Sequence, residues 1–271
     1  WLNGVEKKTA VLLSQAKGSA DSRLRVTEAD LAKSHKVLNA TGIELAQLVA
    51  NQYFSPLEEV IAQTLPPMLA RTPGGSGKKT ARKKAGSEQD QPQVHKVPEL
   101  PAPELPSLSE KQQAVADAIL SKPAGEAPEH LIWGVTGSGK TRIYEYLIAQ
   151  ALARGEQALL LVPEIALSGQ IMDVIRQRFG NRSVLYHSGL SDGERFASQL
   201  AFLSGAAGIA VGTRSAVFLP AAKLGLIIID EEHDGSFKDQ RSLRFDTRVV
   251  ARLRQQCEPQ VPRFILGSAT P

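Results

Sequence analysis

Six short apolar runs organise the second half of this 271-residue chain, and each ends in small, hydroxyl or charged residues. His130-Leu131-Ile132-Trp133 runs into glycines. Ala158-Leu159-Leu160-Leu161-Val162 ends in Pro163-Glu164, and Val184-Leu185-Tyr186 in His187-Ser188-Gly189. Ile209-Ala210-Val211 ends in Gly212-Thr213-Arg214-Ser215, and Phe264-Ile265-Leu266 in Gly267-Ser268-Ala269-Thr270. Leu224-Gly225-Leu226-Ile227-Ile228-Ile229 is continuous, as a strand buried on both faces requires, and stops at Asp230-Glu231-Glu232-His233. After the first run, Ile143, Tyr144, Leu147, Ile148 and Ala151 recur at helical spacing. Ser109 with Gln112 forms a capping box that opens an earlier helix. Strands alternating with helices predict an α/β lobe over residues 108–271, a parallel sheet covered on both faces. The polar strand ends then line one rim, where ligands of open α/β sheets bind.

The first 107 residues follow other patterns. Thr9-Ala10-Val11-Leu12-Leu13 is a strand candidate. Thr41-Gly42-Ile43-Glu44 and Ser55-Pro56-Leu57-Glu58 read as capping boxes that start two short helices. Residues 1–70 are thus expected to form a small mixed α+β region. Residues 71–107 read as a disordered linker: Gly74-Gly75-Ser76-Gly77, then Lys78, Lys79, Arg82, Lys83 and Lys84, then a Pro/Gln/Glu stretch. The basic cluster suits loose contact with duplex phosphate or a solubilising tether.

Gly134-Val135-Thr136-Gly137-Ser138-Gly139-Lys140-Thr141 changes the picture from fold to chemistry. It fits the pattern G-x-x-x-x-G-K-[ST] between a strand and a helix. Glycines let the backbone wrap a polyphosphate, and the helix behind offers free N–H groups and its positive dipole end. Gly134, Thr136, Gly137, Ser138 and Gly139 are the expected cradle. Lys140 is expected at the β- and γ-phosphates and Thr141 on Mg²⁺. Asp230 is expected to share that Mg²⁺, and Glu231 to orient and polarise an attacking water. Simple nucleotide kinases need no such glutamate, whereas ATPases that couple hydrolysis to motion do.

Past the acidic box, Phe237-Lys238-Asp239-Gln240-Arg241-Ser242-Leu243-Arg244-Phe245 interleaves aromatics with bases. Aromatic faces stack nucleobases at about 1–3 kcal/mol per base, and arginines pair with phosphates. Two core phenylalanines on an amphipathic loop would read the same way.

These motifs resemble those of superfamily 2 DExH helicases: 134–141 their motif I, 230–233 motif II, 212–215 motif Ib and 267–270 motif III. Leu108-Ser109-Glu110-Lys111-Gln112 resembles their adenine-contacting element, with Gln112 as the contact. More narrowly, Val162-Pro163-Glu164-Ile165, the wording of 187–195, Gly212-Thr213-Arg214-Ser215-Ala216 and Asp230-Glu231-Glu232-His233-Asp234 resemble the bacterial replication-restart helicases, the PriA type (primosomal protein N′). The resemblance implies a RecA-like P-loop lobe that uses ATP and Mg²⁺ and drives 3′-to-5′ movement on DNA. It implies single-stranded and forked DNA as substrate, primosome and single-strand-binding proteins as partners, and a bacterial, nucleoid-associated cytoplasmic setting. It places DNA contact or coupling at Glu164, Thr213, Arg214, Ser215, His233, Phe237, Lys238, Arg241, Arg244, Phe245 and Thr270. It also makes residues 1–70 part of a domain that binds the 3′ end of nascent DNA, against the plainer reading of a packing subdomain. Departures are visible. Leu243 stands where some relatives carry an aromatic, and Phe237 and Phe245 lack a hydroxyl often found there. Residues 71–107 are too few and too polar for the winged-helix domain usual at that point.

Composition bounds the rest. A net charge of +4 and a pI of about 9.2 suit a polyanionic partner. One cysteine, Cys257, excludes an internal disulfide framework and a cysteine zinc site here. The resemblance implies zinc only in a C-terminal part, and the start at Trp1 and the end just past 267–270 are read as those of a segment of a longer protein. No apolar run approaches the roughly 18 residues of a membrane span. Two rivals stay open: a DNA-binding scaffold with a vestigial ATPase, and another DExH motor such as an RNA helicase or a restriction-enzyme translocase.

Overall fold

The computed structural model describes residues 37–65, 106–123 and 129–270, without 136, 169, 241 and 242. The strand candidate at 9–13, most of the 71–107 linker, Thr136 and Arg241 lie outside the described residues.

Among the described residues, six parallel strands form one sheet in the order β1-β6-β5-β2-β4-β3. They are β1 His130–Trp133, β2 Gln157–Leu161, β3 Ser183–Tyr186, β4 Ile209–Gly212, β5 Leu224–Ile229 and β6 Arg263–Ser268. β5 is buried at all six positions and β2 at all five, as unbroken aliphatic runs require. β1 differs from its neighbours. It is an edge strand, and Leu131 and Trp133 are exposed on one side of it. The register brings the strand ends level: Leu161 pairs with Gly212 and Ile229, Ile229 with Leu266, and Tyr186 with Gly212. The polar clusters after these residues therefore share one rim.

Helices cover both faces. Around α3 (Glu110–Leu120), α4 (Lys140–Ala153) and α5 (Gln170–Phe179), Ile143, Leu147, Ile148 and Ile175 pack with Leu160, Ile228 and Ile265 of the sheet. On the other face, Leu159, Ile227, Ile229 and Phe264 meet Val250 and Ala251 of α7 (Thr247–Cys257). α6 (Asp192–Leu203) lies beside β3 and β4 and contributes Phe202 to this second cluster. The Ser109/Gln112 capping box opens α3, and Ser191 with Glu194 forms another at α6.

Among the described residues, two helices precede the lobe, α1 (Ala40–Tyr53) and α2 (Leu57–Thr64). Their caps correct the sequence reading. Asn39, not Thr41, caps α1, its side chain accepting from the Gly42 N–H. Asn39 also donates to the Ala221 carbonyl at 2.7 Å, so the cap that starts the helix ties it to the lobe. Pro56 opens α2 without a side-chain cap, and Ser55 Oγ turns back to donate to the Tyr53 carbonyl. Leu45, Ala46, Val49 and Val60 are buried in the same cluster as β2, β5 and α7. The two helices thus share the core of the lobe. Cys257 lies buried at the end of α7, where burial and then the carboxylates of Glu44 and Glu258 push its thiol up to about 12. It is an inert thiol in the folded chain.

Candidate nucleotide site and adjoining rim

The turn from β1 into α4 is built for close backbone approach. Gly137 and Gly139 have φ of 82° and 86°, a region that side chains disfavour. Gly139 stands at the N-cap of α4 with no side-chain cap, which leaves the first N–H groups of the helix for a ligand. Lys140 is the first residue of α4 and is buried. Its ammonium donates to the Gly134 carbonyl at 2.6 Å and lies 3.4 Å from Glu231 Oε1. The lysine therefore bridges the loop and the acidic box. Gln112 makes two contacts of opposite kind. Its Oε1 accepts from the Ser109 N–H in the capping box, and its Nε2 donates to the Gly139 carbonyl at 3.3 Å. A cleft lined by Gln112, Gly139, Thr141, Arg142 and Arg178 opens beside this contact.

The acidic box sits where β5 ends. Asp230 donates its backbone N–H to the Leu161 carbonyl, continuing the ladder by one residue. Its side chain is largely buried, and desolvation pushes its carboxyl above the ordinary aspartate range, with the Tyr144 hydrogen bond opposing. That bond runs from the Tyr144 hydroxyl to Asp230 Oδ1 at 2.8 Å. Glu231 has a left-handed φ of 47°, a conformation that costs a non-glycine residue on the order of 1–3 kcal/mol. The turn is held by Glu232 N–H to the Gly267 carbonyl and Asp234 N–H to the Glu231 carbonyl, both 2.8 Å. Glu231 Oε2 also accepts from the Ala269 N–H at 3.2 Å, and His233 Nδ1 lies 3.2 Å from Ser268 Oγ. The box after β5 and the segment after β6 are thus joined through both side chains and backbone.

The far side of the rim gathers a different set. Arg214, in the 3-10 turn Arg214–Phe218 after β4, donates to the Ser236 carbonyl at 3.3 Å. It pairs with buried Asp239 at 3.4 Å and reaches toward Glu164 at 4.0 Å. Glu164, Arg214 and the segment 234–239 therefore meet, although they are far apart in sequence. Ser215 is half-buried, Thr213 is buried, and Lys238, Arg244 and Thr270 are exposed.

Phe237 and Phe245 correct an expectation. Their rings are 0% and 1% exposed, so neither presents a face to a nucleobase. Phe245 packs edge-on against Phe218 with centroids 5.0 Å apart, and Thr247 Oγ1 donates to the Phe237 carbonyl at 2.8 Å. Leu243 is buried in the same cluster. The aromatic–basic alternation describes an amphipathic loop that drives its aromatics into the core.

Two side chains escaped the sequence reading. Tyr144 sits in sequence on an apolar helical stripe, although a buried phenol calls for a hydrogen-bond partner. Arg248, on α7, holds Glu232 Oε2 at 3.1 Å and Asp246 Oδ2 at 2.7 Å. Its only sequence signal is Asp246, which reads as the N-cap of that helix.

The donors fit a nucleotide with Mg²⁺. Among the described residues no cluster of three or more His, Cys, Asp or Glu could hold a metal unaided. Mg²⁺ takes one or two carboxylates and completes its shell with phosphates and water, so one hydroxyl and one carboxylate suffice. Among the described residues no helix is long and apolar enough to cross a membrane.

The DEAD/DEAH box helicase family model matches residues 109–271, which is the whole lobe described above. The chain belongs to that family. Within it, the chain is 43% identical over 186 residues to the replication restart protein PriA of Synechocystis sp., covering 68% of this chain and 22% of that protein. PriA of Bacillus subtilis is 41% identical over 60% of this chain and 20% of its own length, and that of Helicobacter pylori 42% over 61% and 26%. The chain thus spans about a fifth to a quarter of the curated relatives it matches. Among solved structures, the DUF1998 helicase MrfA bound to DNA and AMPPNP aligns with a TM-score of 0.44 at 22% identity, over 60% of this chain and 24% of that one.

Proposed function

We propose that this chain is the ATP-binding lobe of a DNA helicase of replication restart, acting at stalled forks on single-stranded and forked DNA. The observation that carries the nucleotide part is the convergence of Lys140, Glu231, Asp230 and Ala269 N–H at one rim. The similarity to PriA carries the biological part.

In this reading the loop from Gly134 to Gly139 cradles the phosphates, together with Thr136 and Ser138. Lys140 leaves the Gly134 carbonyl to meet the terminal phosphates. Thr141 and Asp230 hold Mg²⁺, and Glu231 orients the water that attacks. Bound Mg²⁺ supplies charge neutralisation at the β- and γ-phosphates. Gln112 contacts the adenine from the cleft beside Gly139. Glu231 already accepts from Ala269 N–H, so movement of the 267–270 segment is felt at the water-activating group. Glu164, Arg214, Ser215, Lys238, Arg241, Arg244 and Thr270 line the DNA track, with Thr213 and His233 relaying contact toward the acidic box. Phe237 and Phe245 act as the packed base of the loop. A second lobe completes the cleft in such motors. Primosome and single-strand-binding proteins are the partners this reading implies, in a bacterial cytoplasm beside the nucleoid.

The test is ATP hydrolysis by the whole encoded protein, with and without forked DNA, beside a Glu231→Gln variant. Strong DNA stimulation, reduced about 100-fold or more in the variant, is expected for loss of a group that handles the attacking water. DNA binding without turnover would overturn the motor reading and leave a scaffold with an idle nucleotide site.

A further inference from the structure

Tyr144 lies one turn beyond Lys140 on the buried stripe of α4 and is 0% exposed. Its neighbours on that stripe, Ile143, Leu147 and Ile148, are aliphatic and meet the sheet. A leucine or phenylalanine would serve packing at this position equally well. The hydroxyl instead crosses to the end of β5 and donates to Asp230 Oδ1.

The surrounding backbone makes room for that bond. Gly267 lies in β6, between the P-loop strand and β5 in the sheet. A methyl group built on Gly267 would overlap the Tyr144 hydroxyl and stand 2.9 Å from Asp230 Oδ1. A side chain at 267 and the tyrosine–aspartate bond are therefore mutually exclusive. The carbonyl of the same glycine accepts from Glu232 N–H. One hydroxyl thus joins the helix of the phosphate loop to the acidic box, in space that Gly267 of β6 leaves open.

We propose that Tyr144 is a positioning residue for the cation end of the nucleotide site: its hydroxyl holds Asp230 Oδ1, fixes the carboxylate rotor and leaves Oδ2 for Mg²⁺. This rests on the reading of Asp230 as a Mg²⁺ ligand. A free carboxylate at this depth samples rotamers that do not face the cation, and ordering it then weakens metal binding. Outer-shell partners of this type typically change metal affinity by about 10- to 100-fold when removed.

The experiment titrates a fluorescent ADP onto the 271-residue chain at stepped Mg²⁺ concentrations and in EDTA. Tyr144→Phe keeps the ring and removes only the hydroxyl. It is expected to raise the Mg²⁺ concentration for half-maximal binding roughly tenfold and to leave the affinity in EDTA unchanged. Gly267→Ala keeps the tyrosine but blocks its hydroxyl, and should give the same Mg²⁺ shift. An unmoved Mg²⁺ midpoint in Tyr144→Phe overturns the inference, whatever happens to its melting temperature. Equal weakening with and without Mg²⁺ also overturns it, because that pattern reports a damaged fold. A wild-type chain with no Mg²⁺-dependent binding overturns the nucleotide reading itself. Wild-type binding with an unshifted variant overturns this inference alone.

Discussion

The two halves of the rim carry similar kinds of residue and use them in opposite ways. At the nucleotide half, at the ends of β1, β5 and β6, the polar groups contact one another: Lys140 with Glu231, Glu231 with Ala269, His233 with Ser268. At the other half, beside the ends of β2 and β4, the loop that continues from the acidic box sinks its conspicuous aromatics Phe237 and Phe245 into the core. Arg214 then pins the loop above them through Ser236 and Asp239. In the first half function is carried by backbone shape and short polar side chains, which add little to stability. In the second, the same loop supports both the core and the proposed DNA track, so stability and function are harder to separate.

That difference predicts contrasting variants. Phe237→Ala removes a fully buried ring, and truncations of this kind cost about 3–5 kcal/mol, much of a typical domain's stability. Lys140→Ala should abolish nucleotide binding at a clearly smaller cost in stability, because the lysine is held by one carbonyl and one partly exposed carboxylate rather than by core packing. Urea unfolding of both variants checks the contrast. A Phe237→Ala chain as stable as wild type would break it, returning that ring to the pool of available stacking surfaces.

A smaller effect of opposite sign is expected at Asp230. Burial raises its carboxyl pKa, with Glu231 nearby adding to the effect and Tyr144 opposing it. The folded state therefore holds the proton more readily than the unfolded chain. The sign follows: stability relative to the unfolded chain falls as pH rises from the unfolded aspartate value through the folded one. Asp230→Asn removes that penalty and should stabilise the ligand-free chain at neutral pH. It should abolish Mg²⁺-dependent nucleotide binding at the same time. Thermal melts at pH 7 with and without Mg²⁺-ADP measure both, and a destabilised Asp230→Asn chain would show that the carboxylate is a structural anchor.

How much of this was legible follows the same division. The P-loop, the acidic box and the parallel strands were readable because each is local: a strand, a turn and a helix start within a dozen residues, where steric rules act on the sequence directly. The rim was readable because the strand runs end in the right residue types. Whether Phe245 faced solvent or core was not, since a loop's burial is decided by what packs beneath it, here Phe218. Tyr144 to Asp230 and Arg248 to Glu232 span 86 and 16 residues, and nothing local fixes such pairs. The Asn39 cap was missed for a related reason. Thr41 and Glu44 have the right spacing, but Asn39 also bonds the Ala221 carbonyl, and that tertiary contact settles where the helix begins.

On the second half of the rim, Arg214 offers a test of charge rather than packing. If it contacts phosphate, Arg214→Ala should weaken single-stranded DNA binding uniformly across sequences and lower the slope of log affinity against log salt by about 1. The variant also leaves buried Asp239 without this partner, so binding should be compared at temperatures well below both melting points. An unchanged salt slope would confine Arg214 to holding the loop.

The smallest predicted effect concerns α1, which belongs to neither half yet reaches the second. The Tyr53 hydroxyl accepts from the Asp246 N–H at 3.0 Å, at the N-cap of α7. Asp246 in turn binds Arg248, and Arg248 binds Glu232 of the acidic box. The helix before the lobe is therefore linked to the acidic turn through three side chains. Tyr53→Phe deletes one neutral hydrogen bond at a partly buried site, for which the expected loss is about 0.5–1.5 kcal/mol. A fall in the urea midpoint with an unchanged m-value would mark a local loss of this size. If the bond only fastens α1, nucleotide affinity stays fixed as stability falls. If it also keeps Arg248 on Glu232, Mg²⁺-nucleotide affinity falls with it, and the stable second half of the rim is then what holds the first in shape.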